Sequence, residues 1–495
     1  MDRYAAFTDL KALKEASILP LRKSLRVNTL KISVETFQRW AKEHRWNIVP
    51  VPWCTEGFFI DREDRSTALG KDLLHLLGHV YIQEAASMLP VALLDPQPGE
   101  CVLDMAAAPG SKTTQIAARM CNRGAIVAND VQPARLATLR GALERSGAVN
   151  TVVMRKDGQW YGARMCGRFQ RVLCDVPCTA QGTARKDSSA LQYSSQHSIA
   201  KMAALQKRIL TAGIHAAAVG GRIVYSTCTL TQEENEEVIA WILNKFNDQV
   251  SALNPAECIP KVWDSSAAVD ASARVQEGIS MPQAFPAARL WPHTEDTEGF
   301  FCAVLQKHAP TCEREPRLEP RMRARPIKHS QQQAVSQYVR QRYGTDFLCE
   351  GEQLYQDGSH ILLGTRALAE CGLPTGEYAL GLPYARGTAD KRYRLSNELA
   401  TARGHMASKS VCILRDAQMT DVLGGNNTSC DPALQGDVIL QWNGVPIGVA
   451  LAQGGKLKNK LSRWLVQQSA EDSIKKARGI EGIRATMVHP DHGSC

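Results

Sequence analysis

The sequence predicts an α/β protein: a doubly wound core, with a small α+β module before it and a β-rich region after it. Three observations carry this. Between about residues 76 and 307, short apolar runs of strand length alternate with amphipathic, helix-length stretches. A loop of small residues joins the first of those runs to the helix that follows it. From about residue 343 the chain breaks into short strand-like pieces separated by Gly and Pro. A chain of 495 residues exceeds one ordinary core, and about three domains of ~150 residues each is the natural division.

The first block, residues 1–75, contains the basic, strand-like stretch Leu21-Arg-Lys-Ser-Leu-Arg-Val-Asn-Thr-Leu-Lys31. An amphipathic helix, Val34-Glu-Thr-Phe-Gln-Arg-Trp40, follows it. In the core, residues 76–307, Cys101-Val-Leu-Asp-Met105 reads as a buried strand, and a helical pattern runs from Gln115. Ala125 to Asp130 is a second strand. Pro133 to Arg145 is a helix, with Leu136, Leu139 and Leu143 on one face. Thr151–Met154, Arg171–Pro177 and Gly221–Cys228 are the next strands, and Gly299–Gln306 is a late one that completes the sheet.

The loop Ala106-Ala-Ala-Pro-Gly-Ser-Lys112 lies between the first strand and its helix. Small residues let the backbone approach a ligand, and a helix start offers free amides and a positive end. A nucleotide-like ligand would then lie at the carboxyl ends of the strands, with Asp130 placed for ribose hydroxyls and Asp157 just beyond the third strand. A tight turn with no ligand is the plainer alternative. A phosphate-binding P-loop is excluded: Met105 stands where its first glycine belongs, and Ser111 separates Gly110 from Lys112.

Two cysteines end neighbouring strands, Cys178 in Asp175-Val-Pro-Cys and Cys228 in Ser226-Thr-Cys. Few reactions need two thiols that form neither a disulfide nor a metal clamp. Methylation of a pyrimidine at carbon 5 is one, because a thiolate must first add to carbon 6 to make carbon 5 nucleophilic. With 15 cysteines in the chain, two inert buried thiols would look the same by spacing alone. Lys112 and Lys186 likewise read equally as solvated charges.

Taken together, Leu103-Asp-Met-Ala-Ala-Ala-Pro-Gly-Ser-Lys-Thr113, Asp175-Val-Pro-Cys178 and Tyr225-Ser-Thr-Cys-Thr-Leu230 resemble the motifs of the RNA cytosine-5 methyltransferases, the NOL1/NOP2/Sun family. His79-Val-Tyr-Ile-Gln-Glu-Ala-Ala-Ser-Met88, Ala184-Arg-Lys-Asp187 and Glu298-Gly-Phe-Phe301 are similar too, so the likeness runs over about residues 20–307. It implies a Rossmann-like core that uses S-adenosylmethionine and no metal. Ala106, Ala107, Ala108, Pro109, Gly110, Ser111, Lys112, Asp130, Asp157 and Asp175 would surround that donor, Asp130 on the ribose and Asp157 near the adenine. It also implies Cys228 as nucleophile, Cys178 as the group that assists release, and Asp175 as a contact to the base. The family commonly continues Pro-Cys-Ser/Gly-Gly-Glu/Asp-Gly, whereas this chain has Cys178-Thr-Ala-Gln-Gly182. Length and C-terminal extension are most similar to bacterial members acting on 16S ribosomal RNA near the decoding site. Transfer RNA, or a non-catalytic role in ribosome assembly, are the alternatives.

The composition suits such a partner. Lys and Arg number 59 against 50 Asp and Glu, a net charge of +9, which favours polyanions. No CxxC pair or regular cysteine framework suggests zinc or a disulfide scaffold. No apolar run approaches the ~20 residues of a membrane span, and the acidic start Met1-Asp-Arg-Tyr reads as no secretory leader. A cytoplasmic monomer without membrane attachment is expected. Residues 308–342 form a basic linker interrupted by prolines at 310, 316, 320 and 326. Its arginines are either solvated or placed for phosphates. Residues 343–495 read as an RNA-docking region. His360–Gly364, Tyr378–Pro383, Asp437–Trp442 and Val445–Ala450 are its strands, and Lys456, Lys458 and Lys460 precede Trp464. The resemblance makes its last part similar to a PUA domain. The tail beyond about Gly482 reads as loose.

Overall fold

The computed structural model describes residues 4–466, apart from 6, 64, 66–67, 192–194, 260–284, 313–321, 373–375 and 388–391. The core runs become a nine-stranded mixed sheet. In chain order its strands are β1 (Cys101–Asp104), β2 (Ala125–Asn129), β3 (Thr151–Met154), β4 (Phe169–Asp175), β5 (Ala217–Thr227), β6 (Val250–Leu253), β7 (Ala288–Leu290), β8 (Phe300–Lys307) and β9 (Glu377–Leu380). Across the sheet the order is β6-β8-β5-β4-β1-β2-β3-β9, with β7 paired to β8. Strands β1 to β5 run parallel to one another. The late strand β8 is antiparallel to β5, pairing Phe301 with Thr227 and Val304 with Val224.

The continuous apolar runs have a direct cause. Leu103, Val127, Val172 and Ile223 bury one face of the sheet, while their neighbours Val102, Ile126, Leu173 and Val224 bury the other. A strand covered by helices on both faces has no polar side to alternate with. Helix α1 (Ser111–Arg119) follows β1, and α2 (Pro133–Ser146) follows β2. Helix α1 begins four residues before Gln115, because Thr113 and Thr114 are buried and paired, Thr113 with Asp104 and Thr114 with Arg26. A polar-looking first turn hides an interior one.

The N-terminal module is a four-stranded antiparallel sheet of Trp46–Val51, Cys54–Arg62, Ser24–Val27 and Val80–Tyr81, covered by the helix Val34–Glu43. The basic stretch Leu21–Lys31 is only partly at the surface. Arg22 and Lys23 are exposed, but Arg26 is 1 % exposed and donates to Gln83 at 3.0 Å and Thr114 at 2.9 Å, joining module to core.

Within the stretch read as a linker, His329–Tyr343 is a helix that buries Val335, Val339 and Tyr343. The spacing is helical, and the surrounding glutamines and arginines mask it. Arg340 pairs with Asp346, Arg323 pairs with Asp357, and Arg342 donates to the carbonyls of Gln435 and Asp437. Arg314, Arg317 and Arg321, and the tail beyond Gly482, lie outside the described residues. The C-terminal region is β-rich, with two five-stranded sheets. The run Tyr378–Pro383 divides between sheets: Glu377–Leu380 is β9, on the edge of the core sheet, and Leu382–Gly387 belongs to the next. Gly381 turns between them at φ 53°. Cys166 and Cys312 form a disulfide, which the sequence did not suggest because its partners lie 146 residues apart.

Candidate active site

The carboxyl ends of β1, β2, β4 and β5 meet the loop Ala106–Gly110, as expected for a site at the open end of a parallel sheet. That loop is held from beneath. Ala107 N–H donates to the Asn129 carbonyl at 2.7 Å, and Ala108 N–H donates to the Asp130 carboxylate at 3.2 Å. Gly110 takes φ 108°, and a Cβ there would sit 3.0 Å from Ala142 Cβ and 3.1 Å from Leu139 Cδ1. Only glycine lets the loop settle this deeply on α2.

Lys112 enters from the first turn of α1 and is 9 % exposed. Its ammonium lies 2.8 Å from Asp175, donates to Ser87 Oγ at 2.9 Å, and sits over the Phe300 ring. Burial alone would lower its pKa, but the adjacent Asp175 and Asp104 carboxylates outweigh that, and the net direction is upward. The reading of Lys112 as a solvated charge is therefore excluded. Asp175 also accepts from Ser226 Oγ at 2.8 Å, tying the ends of β4 and β5.

Burial pushes the Asp104 carboxyl up to about 7, opposed by its Thr113 hydrogen bond and reinforced by the charge of Asp175. Its Oδ1 is buried with no hydrogen-bond partner among the described residues. Asp130, at the end of β2, is 2 % exposed and accepts from Gln132 N–H at 2.9 Å, with Arg135 3.4 Å away. Asp157 is exposed and caps the helix Gly158–Arg164 through Gln159 N–H at 2.8 Å. A cradle this tight, lined by a spare buried carboxylate oxygen and an acid past the second strand, fits a ligand with both a cationic centre and vicinal hydroxyls.

Cys178 and Cys228, 50 residues apart, are brought together with their sulfurs 3.3 Å apart. The hydrogen bond shared with Cys228, together with burial, pushes the Cys178 thiol well up, and nearby Glu234 adds to this. The strand-end loops interlock behind the pair. Val176 N–H donates to the Ser226 carbonyl at 3.1 Å, Gly182 N–H to the Cys228 carbonyl at 2.9 Å, and Gly299 N–H to the Gly182 carbonyl at 2.9 Å. Arg185, within the family-like stretch Ala184–Asp187, turns away from the thiols: its donors reach the Leu19, Pro20 and Thr297 carbonyls and Asp296. Lys186 is exposed.

Three acids beside the site were given no role by sequence, although Glu84 and Glu298 lie in the family-like segments 79–88 and 298–301. Glu84 accepts from Ser87 and Glu298 N–H, and burial with the neighbouring Glu298 pushes it up to about 7. Glu234 is fully buried behind Cys178. The run Gln232-Glu-Glu-Asn-Glu236 was its only signal, and such a run reads as the solvated start of a helix. No group of three or more His, Cys, Asp or Glu able to hold a metal ion occurs among the described residues.

Comparison with known proteins identifies the family. The model of the family described as 16S rRNA methyltransferase RsmB/F matches residues 91–306, and that of the N-terminal domain of 16S rRNA methyltransferase RsmF matches residues 4–85. A ribosomal RNA small subunit methyltransferase F of Pectobacterium atrosepticum is 35% identical over 461 residues, 92% of this chain and 91% of that protein. The chain belongs to the RsmB/F family. The Erwinia tasmaniensis protein of the same name is 37% identical, over 91% of this chain and 92% of its own length. Among solved structures, a methyltransferase homolog from Pyrococcus horikoshii superposes with TM-score 0.51 at 35% identity, covering 62% of this chain and 93% of that one. NSun6 from the same organism, crystallised with SFG, shares the fold at TM-score 0.50 and 23% identity, over 60% of this chain and 94% of its own. The Rossmann-like methyltransferase core of the RsmB/F family is thus this chain's core as well.

Proposed function

We propose that this protein methylates carbon 5 of one cytosine in small-subunit ribosomal RNA, through a covalent bond between Cys228 and carbon 6. The observation that carries the reading is the pair of sulfurs 3.3 Å apart at the ends of β4 and β5, beside the Lys112–Asp175 ion pair. RsmB/F membership supports ribosomal RNA as the substrate class.

In this mechanism the Cys228 thiolate adds to carbon 6, and the electron pair of the ring double bond moves toward carbon 5. Asp175, held in place by Lys112 and Ser226, would contact the base edge and favour protonation at ring nitrogen 3, making carbon 6 more electrophilic. Bound S-adenosylmethionine would supply the electrophilic methyl group. Ala106–Lys112, Asp130, Asp157 and Asp175 are the residues to hold it, Asp130 on the ribose hydroxyls. Release then requires loss of the carbon 5 proton, re-formation of the ring double bond and cleavage of the sulfur–carbon bond, which returns Cys228 as thiolate. Cys178 would serve that step as a thiolate, having first given its own proton to solvent, by taking the proton from carbon 5. The target base must also leave its stack, at a cost of a few kcal/mol.

Bisulfite sequencing of RNA from cells with and without the protein identifies the modified position. A single cytosine of 16S ribosomal RNA that loses protection is the expected result. A lost position in transfer RNA instead would redirect the substrate, and no lost position would refute the chemistry. Cys228→Ala should abolish transfer. Cys178→Ala should trap a protein–RNA adduct stable to denaturing gels.

A further inference from the structure

The loop that carries Cys178 closes on a buried carboxylate. Glu234 accepts from Thr179 N–H at 3.0 Å, from Thr179 Oγ1, from Thr231 Oγ1 at 3.0 Å and from Gln206 Nε2 at 2.8 Å. Gln206 also donates to the Pro177 carbonyl at 2.9 Å. The two residues that flank Cys178 are therefore gripped, one directly and one through Gln206, by the same acid. These donors are neutral, and Glu234, Gln206, Thr229 and Thr231 are fully buried. A lone buried carboxylate costs several kcal/mol unless its lone pairs are filled. Here the donors that fill those lone pairs are also the groups that fix the loop beside Cys178.

From Cys178 to Lys186 the loop itself carries no acid, since Gln181 stands at the position commonly acidic in the family. Gln181 is joined to the same network: its Oε1 accepts from Thr229 Oγ1, which lies 3.4 Å from Glu234 Oε1. Ala180, between them, is held in left-handed backbone at φ 58°, a conformation a non-glycine residue keeps only when its surroundings impose it.

We infer that Glu234 is a positioning residue for the release step, its carboxylate fixing the backbone on both sides of Cys178 so that the thiol meets the Cys228-bound base. The inference rests on the roles proposed above for the two cysteines. Glu234 also accepts from Thr231 and approaches Thr229 on the Cys228 side, but only through their side chains, whereas it holds the backbone beside Cys178 directly, so release should suffer more than attack.

The test uses the full chain, with small ribosomal subunits from cells lacking the protein. Glu234→Gln keeps the shape and removes the charge. The expected result is single-turnover methyl transfer close to that of the parent, multiple turnover slowed by about tenfold to a hundredfold, as for a catalytic group misplaced by about 1 Å, and a covalent adduct like that of Cys178→Ala. Parent-like turnover by E234Q, or a loss of single-turnover transfer as large as the loss of release, overturns the inference. If E234Q does not fold, Thr179→Ala decides: an adduct supports the inference and parent-like turnover refutes it. Absence of an adduct with Cys178→Ala would instead remove the reading on which both proposals stand.

Discussion

Ala180 shows how one residue type departs from what its backbone asks for. Its φ of 58° lies in the left-handed region, where a Cβ meets the following carbonyl at a cost of roughly 1–2 kcal/mol. Ala180→Gly removes that cost and gives back about 0.4–1 kcal/mol through the freer unfolded chain. The variant should therefore be more stable by a few tenths to about 1 kcal/mol in urea titration, and a loss of stability would show that the loop is not strained. Asp130 offers a second residue-scale test. Charged hydrogen bonds contribute about 1.5–3 kcal/mol, so Asp130→Ala should weaken S-adenosylmethionine binding by roughly one to two powers of ten in calorimetry. Unchanged affinity would take Asp130 out of the donor site. The two thiols, Asp130 and Asp175 could be read as candidates because their residue types stand at strand ends, whereas Lys112, in the first turn of α1, was a candidate only through the family resemblance. Glu234 and Arg26 were not legible, because burial of a charge is decided by distant partners such as Thr179 and Gln83.

At the scale of elements, strands covered on both faces are the easiest to read, and β1 to β5 coincide with their apolar runs to within a few residues. The start of α1 was missed because Thr113 and Thr114 satisfy their hydroxyls inside the protein. The run Tyr378–Pro383 was read as one strand because nothing local says that Gly381 reverses the chain into another sheet. The closure of α1 over β1 has a measurable consequence through Asp104, whose folded pKa of about 7 lies above its ordinary 3.8. A raised carboxyl contributes stability that is fully present below the unfolded pKa and is lost as pH rises through the folded one. The donor-free protein should thus lose stability from about pH 4 to about pH 7 by at most ~1.4 kcal/mol per pH unit from this group. Asp104→Asn should flatten that slope in urea midpoints taken across the interval. An unaltered slope would mean that Asp104 ionises normally.

The whole molecule is more tightly joined than its division into blocks suggests. β9, from the C-terminal region, pairs with β3 of the core, and Leu380 and Leu368 lie in the same buried cluster as Val152 and Met154. Phe37 and Trp40 of the N-terminal module share a cluster with Trp442 and Val445 near the other end of the chain. Pairings across hundreds of residues leave no local pattern, so the composition marked the modules but not their union. Removing residues 343–495 would strip a strand from the core sheet and open both clusters, so a truncation would report folding rather than RNA selection. A charge change on the surface separates the two. Lys456, Lys458 and Lys460 are exposed, with Leu457 buried between them, so the strand Lys456–Asn459 presents its lysines outward. If these lysines contact phosphate, replacing all three by Glu should weaken binding to small-subunit RNA and reduce the salt slope of log K by about 2–3, at roughly 0.7–0.9 per phosphate contact. Donor affinity and thermal stability should hold, because none of the three is buried. Unchanged RNA affinity across salt would make this an ordinary solvated face, and docking would then fall to the exposed Arg22 and Lys23 at the other end of the chain.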